Sequence, residues 1–411
     1  MSDMVTLRHP ETTSHDAANV LNASFVPSSR VIVELADWMG DPALAGRYNP
    51  RMRSLIAAFV VVCGGFLALA QAPAASPEVR ADGSVVFRLR APRATQVVLR
   101  GEWQSGDIAM TNENGTWSVT VGPLPREVYA YSFAVDGLTI VDPQNTAVKL
   151  SARGATQSIV TIPGNPPGIH DVRDVPHGAV SEHWYPSKTL SAVRHMFVYT
   201  PPGYDRSRDN YPVLVLLHGA GNAESNWVSM GRANVILDNL IATQAAKPML
   251  LVMPFGHAVP QGAPNESENN RLFEAELLTD ILPFVDAHYR TARGAANRGV
   301  AGLSMGGMQA LALGLRQPDV FGWIGVFSPI MERDFETRYE KELATGAALN
   351  KKLSWFFVGC GTEDQLFKGT AALHDTLTAR GITHAYRTGE GRHSWVVWRK
   401  HLAEVAQKAF K

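Results

Sequence analysis

Ser304, Asp364 and His393 are the residues of this chain whose types and spacing could carry covalent chemistry. Ser304 sits in GLSMG (Gly302–Gly306), after the strand-like run RGVAGL and before MGGMQALALGLRQ, which reads as a helix stopped ahead of Pro318. A serine on a tight strand-to-helix turn stands clear of its sheet, and glycines on either side let the turn close. The bland alternative is a packing turn that holds a small polar residue; the flanking strand and helix favour a nucleophile. A serine hydroxyl needs a base at neutral pH. Of the 13 histidines, His393 in GEGRHSWVVW follows a last strand (Thr383–Thr388) and precedes a final helix, where a base above the turn has to lie. His374 and His401 read as exposed helix residues and His384 as a strand side chain. An acid must then orient the imidazole. Glu363 and Asp364 both follow the strand Leu353–Gly359, and Asp364 is preferred because aspartate is the commoner third member.

Charge that develops on a substrate oxygen needs backbone N–H donors fixed before the reaction. One donor falls to Met305, the residue after the nucleophile. The other falls to the Gly219–Ala220 region of LLHGAGNAESNW (Leu216–Trp227), with His218 read as a brace at the strand end. This is acyl-transfer chemistry. Cys63 lies in an apolar leader-like segment and leaves Cys360 alone, so neither an internal disulfide nor a cysteine metal site is available. Lys+Arg and Asp+Glu both number 38, without a long basic stretch, which argues against a nucleic-acid partner.

The elements that must position these residues alternate. Tyr211–Gly219, Pro248–Pro254, Gly322–Ser328 and Leu353–Gly359 are continuous apolar strands. Phe273–Tyr289, Phe367–Gly381 and Ser394–Phe410 carry helical periodicity. Unbroken apolar strands between helices predict a mostly parallel sheet covered by helices on both faces over residues 171–411. The chain order serine, acid, histidine is that of the α/β-hydrolase fold. Ahead of it, residues 77–165 alternate at sandwich-like spacing (Ser84–Pro92, Thr95–Trp103, Gly115–Leu124, Tyr129–Gly137, Thr156–Gly164), which predicts a small all-β immunoglobulin-like sandwich. Trp103 and Trp117 there could stack on a sugar ring; core packing is the favoured reading, since large aromatics are mostly buried. Residues 52–70 have the basic start, apolar run and Ala68-Leu69-Ala70 of a cleaved secretory signal, with a membrane anchor as the alternative. Residues 1–51 then lie upstream of the true start or form a disordered segment. The expected location is secreted or periplasmic, with a membrane partner only if the leader stays uncleaved.

The strings YPVLVLLHGAGNAESNW, GRANVILDNLIA, PMLLVMPFGH, GVAGLSMGGMQAL, FVGCGTEDQLF and GRHSWVVW together resemble the family-one carbohydrate esterases, an esterase-D-like group that includes feruloyl, acetylxylan and enterochelin-type esterases. VVFRLRAPRATQVVLRGEW and YSFAVDG resemble the early-set, glycogen-binding-type module that often precedes them. The resemblance implies ester hydrolysis through an acyl-enzyme, with neither cofactor nor metal, and with Ser304, Asp364 and His393 as triad and Ala220 and Met305 at the oxyanion hole. The implied partner is an acylated carbohydrate or small ester, with possible glycan contact by the front module. A feruloyl pocket would draw its walls from Trp227, Phe255 and Trp395. A catecholate siderophore would need cations, and Arg271 and Arg392 are the nearby basic candidates. Transfer of the acyl group to a sugar hydroxyl is a further variant, and a glycan-binding protein with an inert hydrolase domain is the reading from another class.

Overall fold

Short alternating segments build the first layers. The computed structural model describes residues 75–411 apart from 333 and 345; the segments 1–51 and 52–70 lie outside the described residues. One sheet pairs β1 (Glu78–Val79), β2 (Val85–Arg90), β5 (Thr111–Glu113) and β6 (Thr116–Val121) in the order β1-β2-β6-β5. The other holds β3 (Val97–Gly101), β4 (Ile108–Ala109), β7 (Val128–Val135), β9 (Val148–Ser151) and β10 (Gly154–Thr161) in the order β4-β3-β7-β10-β9, with β8 (Leu138–Ile140) paired to β7. Phe87 and Leu89 of the first sheet meet Leu99, Tyr131 and Phe133 of the second in one core. Trp117 is buried in that core and donates its indole N–H to the Ala91 carbonyl at 3.0 Å. Trp103 stacks on Phe87 at 5.5 Å and meets Tyr129 edge-on. Both tryptophans are thus packing residues of the sandwich.

The continuous apolar runs form the middle of an eight-stranded sheet: β11 (Ala179–Ser187), β12 (Ala192–Thr200), β13 (Val213–Leu217), β14 (Leu250–Pro254), β15 (Arg298–Leu303), β16 (Trp323–Phe327), β17 (Trp355–Gly361) and β18 (Ala385–Gly389), in the order 11-12-14-13-15-16-17-18. β13 to β18 pair in parallel, and the β11–β12 hairpin adds antiparallel strands at one edge. Alternate residues of a strand face opposite sides. Leu214 and Leu216 enter one core with the helices Ala233–Ala242 and Trp395–Lys408, while Val213, Val215 and Leu217 enter another with Phe273, Leu277 and Ile281. Both faces need apolar side chains, which is why these strands do not alternate in sequence. The segment read as one helix over Phe273–Tyr289 is Asn269–Glu276 and Leu282–His288, joined by a wide π-type turn at Leu277–Ile281. Among the described residues no helix is long and apolar enough to cross a membrane.

The strand that joins the two parts is β7, whose residues are buried on both of its faces. Tyr129, Tyr131 and Phe133 fill the sandwich core, whereas Val128 and Ala130 join the core that contains Tyr199, Trp227 and Leu402. Next to it, Arg399 is buried. It pairs with Glu127, donates to the Met230 carbonyl at 2.7 Å and lies 3.4 Å from the Val128 carbonyl. Arg232 adds a bond to Thr161 Oγ1 at 3.0 Å. Removing one member of a buried ion pair strands the other, at about 3–5 kcal/mol. Arg399→Ala is therefore expected to lose about 3 kcal/mol, towards the lower end because Glu127 keeps some solvent contact. Urea unfolding of wild type and variant measures this, and an unchanged midpoint would show that the joint does not depend on Arg399.

Candidate active site

The elbow is set by backbone contacts. Ser304 has φ 56° and ψ −115°, a conformation that non-glycine residues rarely adopt, and it caps the helix Met305–Arg316. Its N–H donates to the Phe327 carbonyl at 2.9 Å, and its carbonyl accepts from Met308 at 3.0 Å and Ile330 at 3.2 Å. These bonds hold a strained residue in place. A Cβ on Gly302 would lie 2.4 Å from the Gly306 carbonyl oxygen. One on Gly306 would lie 2.6 Å from the carbonyl oxygens of both Leu217 and His218. The helix therefore starts in contact with the end of β13, and its unpaired N–H groups and positive end face the space beside Ser304.

Asp364 and His393 come from neighbouring loops after β17 and β18. Thr362 N–H bonds the Gly389 carbonyl at 2.8 Å, and Glu363 N–H bonds the Gly391 carbonyl at 3.0 Å. A Cβ on Gly361 would meet the Gly391 carbonyl oxygen at 2.1 Å, so the loops can approach only with glycine there. The two Asp364 oxygens lie 2.8 and 3.1 Å from His393 Nδ1, and Oδ1 also accepts the Leu366 N–H at 2.8 Å. Burial alone would raise the Asp364 carboxyl; the bonds from His393, Leu366 and Ser328 outweigh it and hold the group below its ordinary value. It is an anion at neutral pH, and as acceptor it fixes Nδ1 as the protonated nitrogen, leaving Nε2 to take a proton. The His393 ring meets Trp398 edge-on at 4.8 Å. Glu363, the other acid considered, is exposed and lies 3.8 Å from Arg392.

Across the site, a Cβ on Gly219 would lie 3.2 Å from Ser304 Cβ, so this loop runs against the serine. His218 is fully buried. Its Nε2 accepts the Gly256 N–H at 2.9 Å, so its proton sits on Nδ1 and is donated to the Gly219 carbonyl at 2.9 Å. In a trans peptide the N–H points opposite to the C=O. Holding the Gly219 carbonyl towards His218 turns the Ala220 N–H the other way. Burial depresses His218 to about 4, so it stays neutral and acts as a brace.

Ser304, His393, Gly219, Ala220 and Trp395 line one pocket of about 210 Å³, together with Asn222, Leu303, Ser394 and Trp398. Glu102 and Lys149 of the sandwich complete its lining. The sequence does not single out either: Lys149 lies in no motif, Glu102 reads only as part of a strand, and both are far along the chain from the other lining residues. A wider groove of about 650 Å³ between Pro176 and Ala242 contains none of the triad candidates. Of the proposed aromatic walls, Trp395 lies at the pocket. Trp227 is fully buried behind it, edge-on at 5.2 Å, and is a core residue. Phe255 stacks with His195 and His218 under Arg194 and is not part of the lining. Arg271 and Arg392 are exposed and face Glu268 and Glu363 rather than the pocket. His401, expected to be exposed, is buried between Phe327 and Phe357 because the last helix lies over the sheet, and burial pushes it down to about 4. His374 is half-buried, stacked on Tyr386 and hydrogen-bonded to His384 at 2.8 Å.

The esterase family model matches residues 187–409, more than half of the chain, and the chain belongs to that family. An endo-1,4-beta-xylanase/feruloyl esterase of Xylanibacter ruminicola is 31% identical over 346 residues, covering 82% of this chain and 46% of that protein. The chain spans about half the length, or less, of the first curated relatives it matches, at 46%, 56% and 28%. A ferulic acid esterase from Anaeromyces mucronatus, solved with ferulic acid, is 25% identical with a TM-score of 0.53, over 58% of this chain and 93% of that one. The enterobactin esterase of Shigella flexneri, at 19% identity and a TM-score of 0.60, shares the fold over 80% of this chain and 94% of its own.

His218 and His401 give the folded protein a pH signature. Each titrates near 6.5 when unfolded and near 4 when folded, so between these values the unfolded chain binds more protons. The stability they contribute is complete above about pH 6.5 and is lost as pH falls towards 4. His401→Phe, which keeps a ring between Phe327 and Phe357, is expected to flatten the decline of melting temperature from pH 7 to pH 4.5. An unaltered slope in thermal melts would contradict the buried, neutral state.

Proposed function

We propose that this member of the esterase family is a serine carboxylic-ester hydrolase that removes acyl groups, feruloyl or acetyl, from plant polysaccharide or oligosaccharide through an acyl-enzyme. The observation that carries the proposal is the strained Ser304 sharing a pocket with His393, whose Nδ1 is held by the buried Asp364 anion. The feruloyl esterase relatives support the acyl class. In this reading His393 Nε2 takes the Ser304 proton as Oγ attacks the ester carbonyl. The N–H groups of Met305 and Ala220 receive the negative oxygen of the tetrahedral intermediate. Collapse breaks the bond to the alcohol, which leaves with the proton from His393. Water, deprotonated by the same imidazole, then attacks the acyl-serine, and collapse returns the proton to Ser304 and releases the acid.

The export leader read at residues 52–70 agrees with a polymeric substrate found outside the cell. We place the enzyme in the periplasm or the medium. A catecholate siderophore is the second substrate class; the positions of Arg271 and Arg392 away from the pocket weigh against it, and Lys149 at the pocket already faces the Glu102 carboxylate.

Ser304→Ala is expected to lower turnover of methyl ferulate by roughly a millionfold with an unchanged melting temperature, because the loss is chemical. Retained turnover would remove Ser304 from the mechanism. On a panel of methyl ferulate, acetylated xylan and a catecholate ester, the first two are expected to be the better substrates; preference for the catecholate would replace the plant-ester reading. Exported protein should begin at Gln71, as read by N-terminal sequencing, and a start ahead of Met52 would contradict the leader assignment.

A further inference from the structure

The cation and the anion beside Ser304 both come from the sandwich. Lys149 lies on β9 and Glu102 directly follows β3. Lys149 Nζ is 3.1 Å from Gln157 Oε1 and 3.7 Å from Glu102 Oε1, and Glu102 Oε2 accepts the Ala130 N–H at 3.0 Å. The carboxylate is thereby anchored to β7, and the ammonium is held between two acceptors. An ammonium has three N–H donors; Gln157 accepts one and Glu102 stands at ion-pair distance, so donor capacity remains for the pocket. The side chains are 15% and 26% exposed, which shelters them while leaving them within reach of a ligand.

The same strand also holds the loop opposite Ser304. Ser151 forms an isolated antiparallel bridge with Asn222, and the Ala152 N–H donates to the Gly221 carbonyl at 3.3 Å. β9 therefore ties Lys149 to the Gly219–Asn222 loop, at a fixed offset from the serine.

We propose that Lys149 and Glu102 form the subsite for hydroxyl groups on the alcohol half of the ester, which makes the sandwich a specificity wall of the active site. The proposal rests on the serine-esterase reading above. A donor beside an acceptor, with no net charge, matches neighbouring hydroxyls of a sugar. It gives little to an anionic ligand, and an apolar acyl group would desolvate both charges without replacing their hydrogen bonds. A sugar replaces the displaced water bond for bond. An alcohol without hydroxyls leaves the pair unserved, and sites built this way reject such analogues strongly. The sandwich would thus contact carbohydrate at the scissile bond, through polar groups, while Trp103 and Trp117 remain in its core.

The test is a ratio: kcat/KM on a feruloylated arabino-oligosaccharide divided by kcat/KM on methyl ferulate, for wild type, Lys149→Met and Glu102→Gln. Both esters carry the same acyl group, so contacts to the feruloyl ring or its phenol cancel. Damage to the oxyanion loop cancels too. Loss of a hydrogen bond to a charged group is worth roughly tenfold or more, so the ratio is expected to fall by at least about tenfold in Lys149→Met, mainly through KM on the sugar ester, and in the same direction in Glu102→Gln. An unchanged or raised ratio in both variants overturns the subsite and leaves the esterase reading intact. Wild type inactive on both esters ends the esterase reading, and the subsite with it.

Discussion

The candidate active site depends on one steric contact, the backbone of the helix Met305–Arg316 against the end of β13. Gly306 lies so close to the carbonyls of Leu217 and His218 that a single methyl group would separate them. That approach places the helix N-terminus, Ser304 and the Gly219–Ala220 loop around one small volume. It also forces Ser304 into its unusual backbone angles, since the chain must reverse from strand to helix within one residue. The hydrogen bond to the Phe327 carbonyl and those from the Met308 and Ile330 N–H groups hold that conformation, so the strain is balanced by the structure around it.

Two histidines near this contact show how burial assigns roles to one side-chain type. His218 is enclosed and kept neutral, with both ring nitrogens committed to backbone groups. His393 is partly open, commits only Nδ1, and is backed by an anion. The first can fix a peptide plane; the second can exchange a proton. Exposure and the partner of the second nitrogen separate them, and neither quantity is a property of histidine itself.

Much of this was legible in the chain. GLSMG between an apolar run and a helical one specifies a local turn, Asp364 follows a strand whose apolar run marks it as buried, and His393 falls between the last strand and the final helix. Each is a signal carried by neighbouring residues. The remainder depends on contacts between distant segments. VKLS of β9 is four residues long, too short for alternation to show, yet it brings Lys149 to Ser304. Glu102 follows a readable strand, but nothing local indicates which way it faces. Trp227, Phe255 and Trp395 are equivalent as residue types, and only packing separates the one at the pocket from the two that are not. His401 was misread because the last helix is buried more widely than its mixed sequence suggests.

The double burial of β7 bears on how such a protein can be taken apart or recombined. The prolines at 163, 166 and 167 look like a seam at which the sandwich could be removed or exchanged. The packing puts no seam there. A cut would bare the apolar surface around Trp227 and Leu402 that Val128 and Ala130 now cover, and would leave Arg399 buried without Glu127. Grafting a foreign module would have to reproduce a strand with two apolar faces and an acid at its leading edge. In this chain the front part and the domain behind it form one compact unit, and substitutions on the inner face of β7 act on both.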